Sequence, residues 1–221
     1  MAARYDGRAE WYDQLNAGWS AGNFGPLAEI LGPGEGLCLD LGCGTGQYLE
    51  TLRATGRSVV GLDYSRDQLS IARTRADGGP LVQADAAALP FADATFPTIA
   101  ILWISTDVDD FAAVLREAAR VLCPGGVLVF YGAHPCFNGP HIGYRDDGGR
   151  TVHPTYRQAG WHQPASWWRE GGVRGSVGMR QTPLAEFLNA FYAAGLTITR
   201  VVEPGDDPVP GILALRTEKG P

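Results

Sequence analysis

Apolar residues recur along this chain in two rhythms, short unbroken runs and stripes at three- and four-residue spacing, and their alternation predicts strands followed by helices. The first run, 36–41 (GLCLDL), ends in an acid and leads through a glycine cluster to a helix-like stretch over 47–55. The second, 58–62 (SVVGL), leads to Asp63 and a helix over 65–76, for which Ser65 supplies an N-cap hydroxyl. Further strands follow at 81–83, 98–104 and 127–131. Between the last two, Phe111, Val114, Leu115 and Ala118 repeat at helical spacing within 109–121, and Pro124, Gly125 and Gly126 stop that helix. Strands alternating with helices imply right-handed crossovers and a mostly parallel sheet buried on both faces.

Beyond Tyr131 the rhythm stops. Residues 134–179 hold all four histidines, three of the six tryptophans and many glycines and prolines, with no clear period. A compact domain rarely keeps so long an irregular connection without using it, and lids and binding loops are the usual uses. Regular spacing returns at 183–194, where Leu184, Phe187, Leu188 and Phe191 form an apolar stripe ended by Gly195. Two closing runs, 196–202 and 211–216, flank a turn too short for a crossover helix, so they pair as an antiparallel hairpin. The expected architecture is α/β: a single domain over 1–221 on a doubly wound, Rossmann-like, mostly parallel sheet of seven strands, the last antiparallel, with a lid insertion at 134–179 after the fifth strand.

A length of 221 residues suits one elaborated core. Arg4, Asp6, Arg8, Glu10 and Asp13 are wrong for the apolar stretch of a signal peptide, and no apolar run is long enough to span a bilayer. A cytoplasmic protein with no membrane partner is expected. The formal net charge of -6 argues against a nucleic-acid partner, which would need a clustered basic surface. The four cysteines include no CxxC pair and the histidines lie 7, 12 and 9 residues apart, so no metal site is expected.

The densest chemistry lies in Asp40-Leu41-Gly42-Cys43-Gly44-Thr45-Gly46, directly after a strand and before a helix. Glycines there let the backbone turn tightly and approach a ligand, while the helix start offers unpaired amides. Where a dinucleotide-binding loop wants its third glycine stands Gln47, which counts against a nicotinamide cofactor. From about residue 36 to 132 the chain resembles the class I (Rossmann-like) S-adenosylmethionine-dependent methyltransferase family. LDLGCGTG at 39–46 looks like its first motif, Asp63 in VVGLDYS like its second acidic position, and Asp85 in QADAAALPF like its third. LCPGGVLVF at 122–130 extends the match, and YDGRAEWYD at 5–13 is similar to the element that precedes the family's first strand.

The resemblance implies S-adenosyl-L-methionine as cofactor, held by Tyr12, Asp40, Gly42, Cys43, Gly44, Gly46, Asp63, Tyr64, Asp85, Ala86 and Leu102. An ionised carboxylate at a strand end accepts from both ribose hydroxyls, the part given to Asp63. The family pattern gives Asp85 the adenine amino group and the Ala86 amide a ring nitrogen; for Asp85 the plainer alternative is an acid that opens a turn. Tyr64 and Leu89 flank the base in this reading, Tyr12 closes over the methionine end, and Leu102 presents backbone there.

Methyl transfer is an in-line displacement, so the protein mainly aligns nucleophile and methyl group and excludes water. A base is needed only for an acceptor that arrives protonated. Ligands of such sheets bind outside the strands' carboxyl ends, which brings Trp103, Thr106 and Asp107 into reach on one side, Tyr131 and His134 on the other. His134 is the first candidate base, with Asp107 and Tyr131 beside it. A histidine bonded to loop backbone is the alternative. Trp161, Trp167 and Trp168 either wall an apolar acceptor pocket or pack the insertion onto the core. The reading is methyl transfer to an oxygen, nitrogen or carbon of a small molecule, as in secondary metabolism, with a cofactor-binding sensor or scaffold as the second reading.

Overall fold

The computed structural model describes residues 4–168 and 171–221; residues 169 and 170 of the insertion lie outside the described residues, as does the side chain at 19. In chain order the elements are α1 (Ala9–Ala21), α2 (Phe24–Leu31), β1 (Leu37–Leu41), α3 (Leu49–Ala54), β2 (Ser58–Asp63), α4 (Arg66–Ala72), β3 (Leu81–Gln83), β4 (Phe96–Leu102), a 3-10 turn at Ile104–Thr106, α5 (Phe111–Val121) and β5 (Leu122–Ala133). There follow β6 (Ile142–Tyr144), β7 (Arg150–Val152), β8 (Gly160–His162), α6 (Val173–Val177), β9 (Met179–Gln181), α7 (Leu184–Ala193), β10 (Leu196–Val202) and β11 (Ile212–Lys219).

Seven strands form one sheet in the order β10-β11-β5-β4-β1-β2-β3. The pairs β1–β2, β1–β4, β2–β3 and β4–β5 are parallel. β11 alone opposes its neighbours, returning from β10 to insert beside β5, so the expected closing hairpin is present. Strand order reverses between β1 and β4, and in an open α/β sheet a ligand crevice opens at the carboxyl ends there.

Alternate residues of each strand feed opposite faces. Leu39, Leu41, Ile99, Ile101 and Phe130 pack with Phe111, Leu115, Phe187 and Phe191 from α5 and α7. Cys38, Val59, Ala100 and Val129 meet Leu27, Leu31, Leu49 and Leu52 from α2 and α3. Phe111 lies flat against Phe187 with centroids 5.4 Å apart, locking α5 to α7.

Several elements differ from the expectation for local reasons. Ser65 caps α4 as read, its Oγ accepting from Gln68 N at 3.2 Å, but the helix ends at Ala72 and turns follow. β5 begins at Leu122, immediately after α5; Gly125 has a φ of 71°, and the pairing with β4 jumps from Phe96–Leu122 to Thr98–Val127. Pro124–Gly126 thus form an irregularity at a strand edge, beyond the helix they terminate. α1 and α2 have no counterpart in the periodicity reading.

The segment after β5 has structure of its own: a β6–β7 hairpin, a β8–β9 ladder and the short α6. Three-residue strands are too short to print a period. Fully buried His141 ties it together, Nδ1 meeting Gln181 Oε1 at 3.1 Å and Nε2 meeting Cys136 O at 2.9 Å. Trp167 and Trp168 both donate to Pro140 O, at 3.0 and 2.8 Å, and His153 stacks on Trp167. Those two tryptophans pack the insertion itself.

Candidate active site

β1 and β2 end side by side, Leu41 opposite Leu62. The turn leaving β1 is fixed by the amides of Gly42 and Cys43, which both donate to Leu62 O at 2.8 and 2.9 Å. Gly44 N donates to Asp63 Oδ2 at 2.9 Å. Gly42 has a φ of 81°, and a Cβ there would sit 2.2 Å from Ile104 Cγ2. Both strain and overlap would follow, so Gly42→Ala is expected to cost about 1–3 kcal/mol of stability. Thermal melting reads it directly, and an unchanged midpoint would contradict this account of the loop.

Asp40 is 1% exposed, and neither carboxylate oxygen has a hydrogen-bond partner among the described residues. Burial, with the nearby charge of Asp63, pushes its pKa up to about 7. Gln68 Oε1, beside Gly44, is likewise buried without a partner. Buried acceptors of this kind are rare unless something else supplies the donor, so they fit a ligand bearing N–H groups or positive charge. Asp63 is half-buried; besides Gly44 N it accepts from Ser65 N at 2.8 Å, yet burial still raises its pKa. The Tyr64 amide adds a third hydrogen bond, and a carboxylate with about four acceptor sites still has room for a ligand donor.

Asp85 is exposed and its Oδ1 accepts from Ala87 N at 2.8 Å, the turn-opening contact of the plainer alternative. Its second oxygen and the Ala86 amide have no partner among the described residues. Leu89 is buried, its amide held by Glu117 Oε2 at 2.8 Å. Tyr64 is 43% exposed and Leu102 is buried at the end of β4. Cys43 is buried too, its amide already spent on Leu62 O.

The amino-terminal segment, recognised in the sequence as a motif, adds contacts that the sequence did not reveal. Tyr5 donates to Asp107 Oδ1 at 2.9 Å and meets Tyr12 edge-on at 4.9 Å. Burial, then the charge of Asp107, raises the pKa of both phenols. Gly7 N donates to Asp67 Oδ2 and Ser65 Oγ to Asp6, docking the segment on the start of α4. Arg4 bonds the Asp107 carbonyl and pairs with Asp109. Tyr12 therefore lies where β2 and β4 end.

α1 is fastened to the glycine loop by polar contacts. Arg75 reaches both oxygens of Asp13 at 2.7 and 2.9 Å and Thr45 O at 2.8 Å, while Gln47 Nε2 donates to Asp13 Oδ1 at 3.0 Å. The Arg75 hydrogen bonds lower the Asp13 pKa from 3.8 to about 2. A depressed carboxylate pKa contributes stability above its unfolded value, which is lost as pH falls through the folded one. The melting-point gap between wild type and Asp13→Asn should therefore be full above about pH 4 and close towards pH 2. A gap independent of pH would contradict the pairing.

The three candidate bases separate. Tyr131 is fully buried and its hydroxyl donates to Asn23 Oδ1 at 2.9 Å. His134 is buried, with Nε2 on Glu203 Oε1 at 2.9 Å and Nδ1 accepting from Cys136 N at 3.1 Å; both ring nitrogens are engaged, as in the loop-histidine alternative. Burial lowers its pKa although Glu203 opposes the shift. Asp107 is half-buried beyond the end of β4, and burial raises its pKa to about 6 against the Tyr5 hydrogen bond and the charges of Arg174 and Arg4. Trp103, at a left-handed φ of 66°, donates through its indole to Tyr48 at 3.0 Å. Among the described residues no cluster of three His, Cys, Asp or Glu side chains suits a metal, and no helix is long and apolar enough to cross a membrane.

Comparison with known proteins bears on the domain and the fold. Residues 39–130 match a family model described as a methyltransferase domain. The 2-phytyl-1,4-naphtoquinone methyltransferase of Thermosynechococcus vestitus is 45% identical over 100 residues, 42% of this chain and 44% of that protein. The demethylmenaquinone methyltransferase of Renibacterium salmoninarum is 34% identical over 163 residues, 71% of this chain and 65% of its own length. A crystal structure of an S-adenosylmethionine-dependent methyltransferase from Mesorhizobium loti aligns with a TM-score of 0.70 at 25% identity, covering 90% of this chain and 98% of that one. The chain therefore carries a methyltransferase domain over residues 39–130, on the class I, Rossmann-like fold of its S-adenosylmethionine-dependent structural neighbours. It spans between 44% and 65% of the length of the first curated relatives it matches.

Proposed function

We propose that this chain transfers a methyl group from S-adenosyl-L-methionine to a small-molecule acceptor. The observation that carries the reading is the pair of acids at adjoining strand ends: Asp40, buried without a partner, and Asp63, bonded to the glycine loop. When bound, the cofactor supplies a methyl carbon already activated by positive sulfur. Asp63 accepts from the ribose, Asp40 meets a donor-bearing or positive group, and the Ala86 amide and the Leu89 side chain receive the base. Gly42, Gly44 and Gly46 let the backbone close in, while Cys43, Tyr64, Asp85 and Leu102 complete the cradle and Tyr12 excludes water from it.

Asp107 takes the proton of an acceptor that arrives protonated, its carboxyl oriented by Tyr5. His134 and Tyr131 hold the end of β5 in place. Residues 134–179 act as a lid that supplies much of the acceptor pocket. The two curated relatives described above are named for naphthoquinone-type substrates, which supports a ring-bearing acceptor. Incubation with S-adenosylmethionine and a panel of hydroxylated aromatic and quinol acceptors should release S-adenosylhomocysteine. Cofactor binding with no turnover across the panel would favour the sensor or scaffold reading.

A further inference from the structure

Beside the acceptor face, between the 3-10 turn that follows β4, the end of β5, and β9 with α7, lies a cavity of about 20 Å³. Such a volume admits one small polar group. Ser105, Thr106, Arg180 and Thr182 line it together with apolar Met179 and Phe187, and no carboxylate contributes to the lining. Thr182 Oγ1 is buried with no hydrogen-bond partner among the described residues. Arg180 is partly buried, yet pairs with no acid among the described residues.

The surroundings point the same way. Arg180 faces Trp161 across the β8–β9 ladder, and the Arg4 guanidinium lies 3.9 Å over that Trp161 ring. Arg174 and Arg4 both act on Asp107. Among the described residues of 134–179 four arginines stand against two acids, although the whole chain carries a net charge of -6, so this segment is net positive. A partly buried guanidinium without a counter-charge among the described residues, next to hydroxyls with protons to donate, is a receptor for an anion. The apolar wall beside it accommodates the body that bears the anion.

Resting on the methyltransferase reading, we propose that the acceptor carries an anionic group, carboxylate or phosphate, which anchors in this cavity on Arg180 with Ser105, Thr106 and Thr182. Benzoate, phenyl phosphate and benzamide are the probes, titrated calorimetrically into the free protein and into protein saturated with S-adenosylhomocysteine. At least one anion should bind about tenfold more tightly than neutral benzamide, and which of the two binds better identifies the group. Arg180→Gln should abolish the preference, Arg180→Lys should retain part of it, and Thr182→Val should weaken it if Arg180→Gln fails to fold. Equal binding of benzoate, phenyl phosphate and benzamide, no binding of either anion, or a preference that survives in Arg180→Gln would overturn the proposal. Failure of S-adenosylhomocysteine to bind would instead sink the cofactor reading, while the free-protein titration still decides the anion site.

Discussion

Asp63→Ala should weaken S-adenosylmethionine binding by about 1.5–3 kcal/mol, roughly 10- to 150-fold, because a charge-assisted hydrogen-bond acceptor is lost. Two further effects oppose each other in the free protein. The substitution strands the Gly44 and Ser65 amides, which now end on the carboxylate. It also removes a carboxylate whose charged form burial disfavours, as its raised pKa shows. The melting point should therefore move far less than the affinity. Asp63→Asn, which keeps one acceptor and the shape, should fall between the two. Calorimetric titration with each variant reads the series, and unchanged affinity in Asp63→Ala would mean that this acid does not touch the cofactor.

Asp107→Asn should lower kcat by about 10²- to 10⁴-fold, the usual worth of a positioned general base, with little change in cofactor affinity. The supporting geometry is a half-buried carboxylate beside the β4 end, held by Tyr5 and faced by Arg4 and Arg174, with Asp63 further off. A base acts in its ionised form, so wild-type kcat/KM should rise as pH climbs through about 6 and then level off. The variant should lose that rise. An intact pH profile in Asp107→Asn would return the proton-transfer role to another group.

Legibility in the sequence followed the range of the interactions. The glycine loop, Asp40 and Asp63 were readable because a tight turn and a strand-end acid demand particular residues at short spacing. The seven strands of the main sheet were equally accessible, since each announces itself as a local apolar run, whereas their spatial order was not read. Tyr5 was not: its partner Asp107 lies 102 positions away, and nothing local marks the pair. His134 was found by position, but Glu203, 69 residues on, and the Cys136 amide decide whether its nitrogens are available. α1 escaped notice because polar links from Asp13 to Arg75 and Gln47 dock it, without the broad apolar stripe that a periodicity reading seeks. The insertion hid its ladders in three-residue strands whose stability comes from buried His141 and Gln181, partners forty positions apart.

The most direct test of the central claim is a calorimetric titration of S-adenosylhomocysteine into the full chain, with NAD titrated in parallel. The crevice at the ends of β1, β2 and β4 predicts saturable binding of one S-adenosylhomocysteine per chain and none of NAD. A silent titration with S-adenosylhomocysteine, or stoichiometric binding of NAD in its place, would contradict the account.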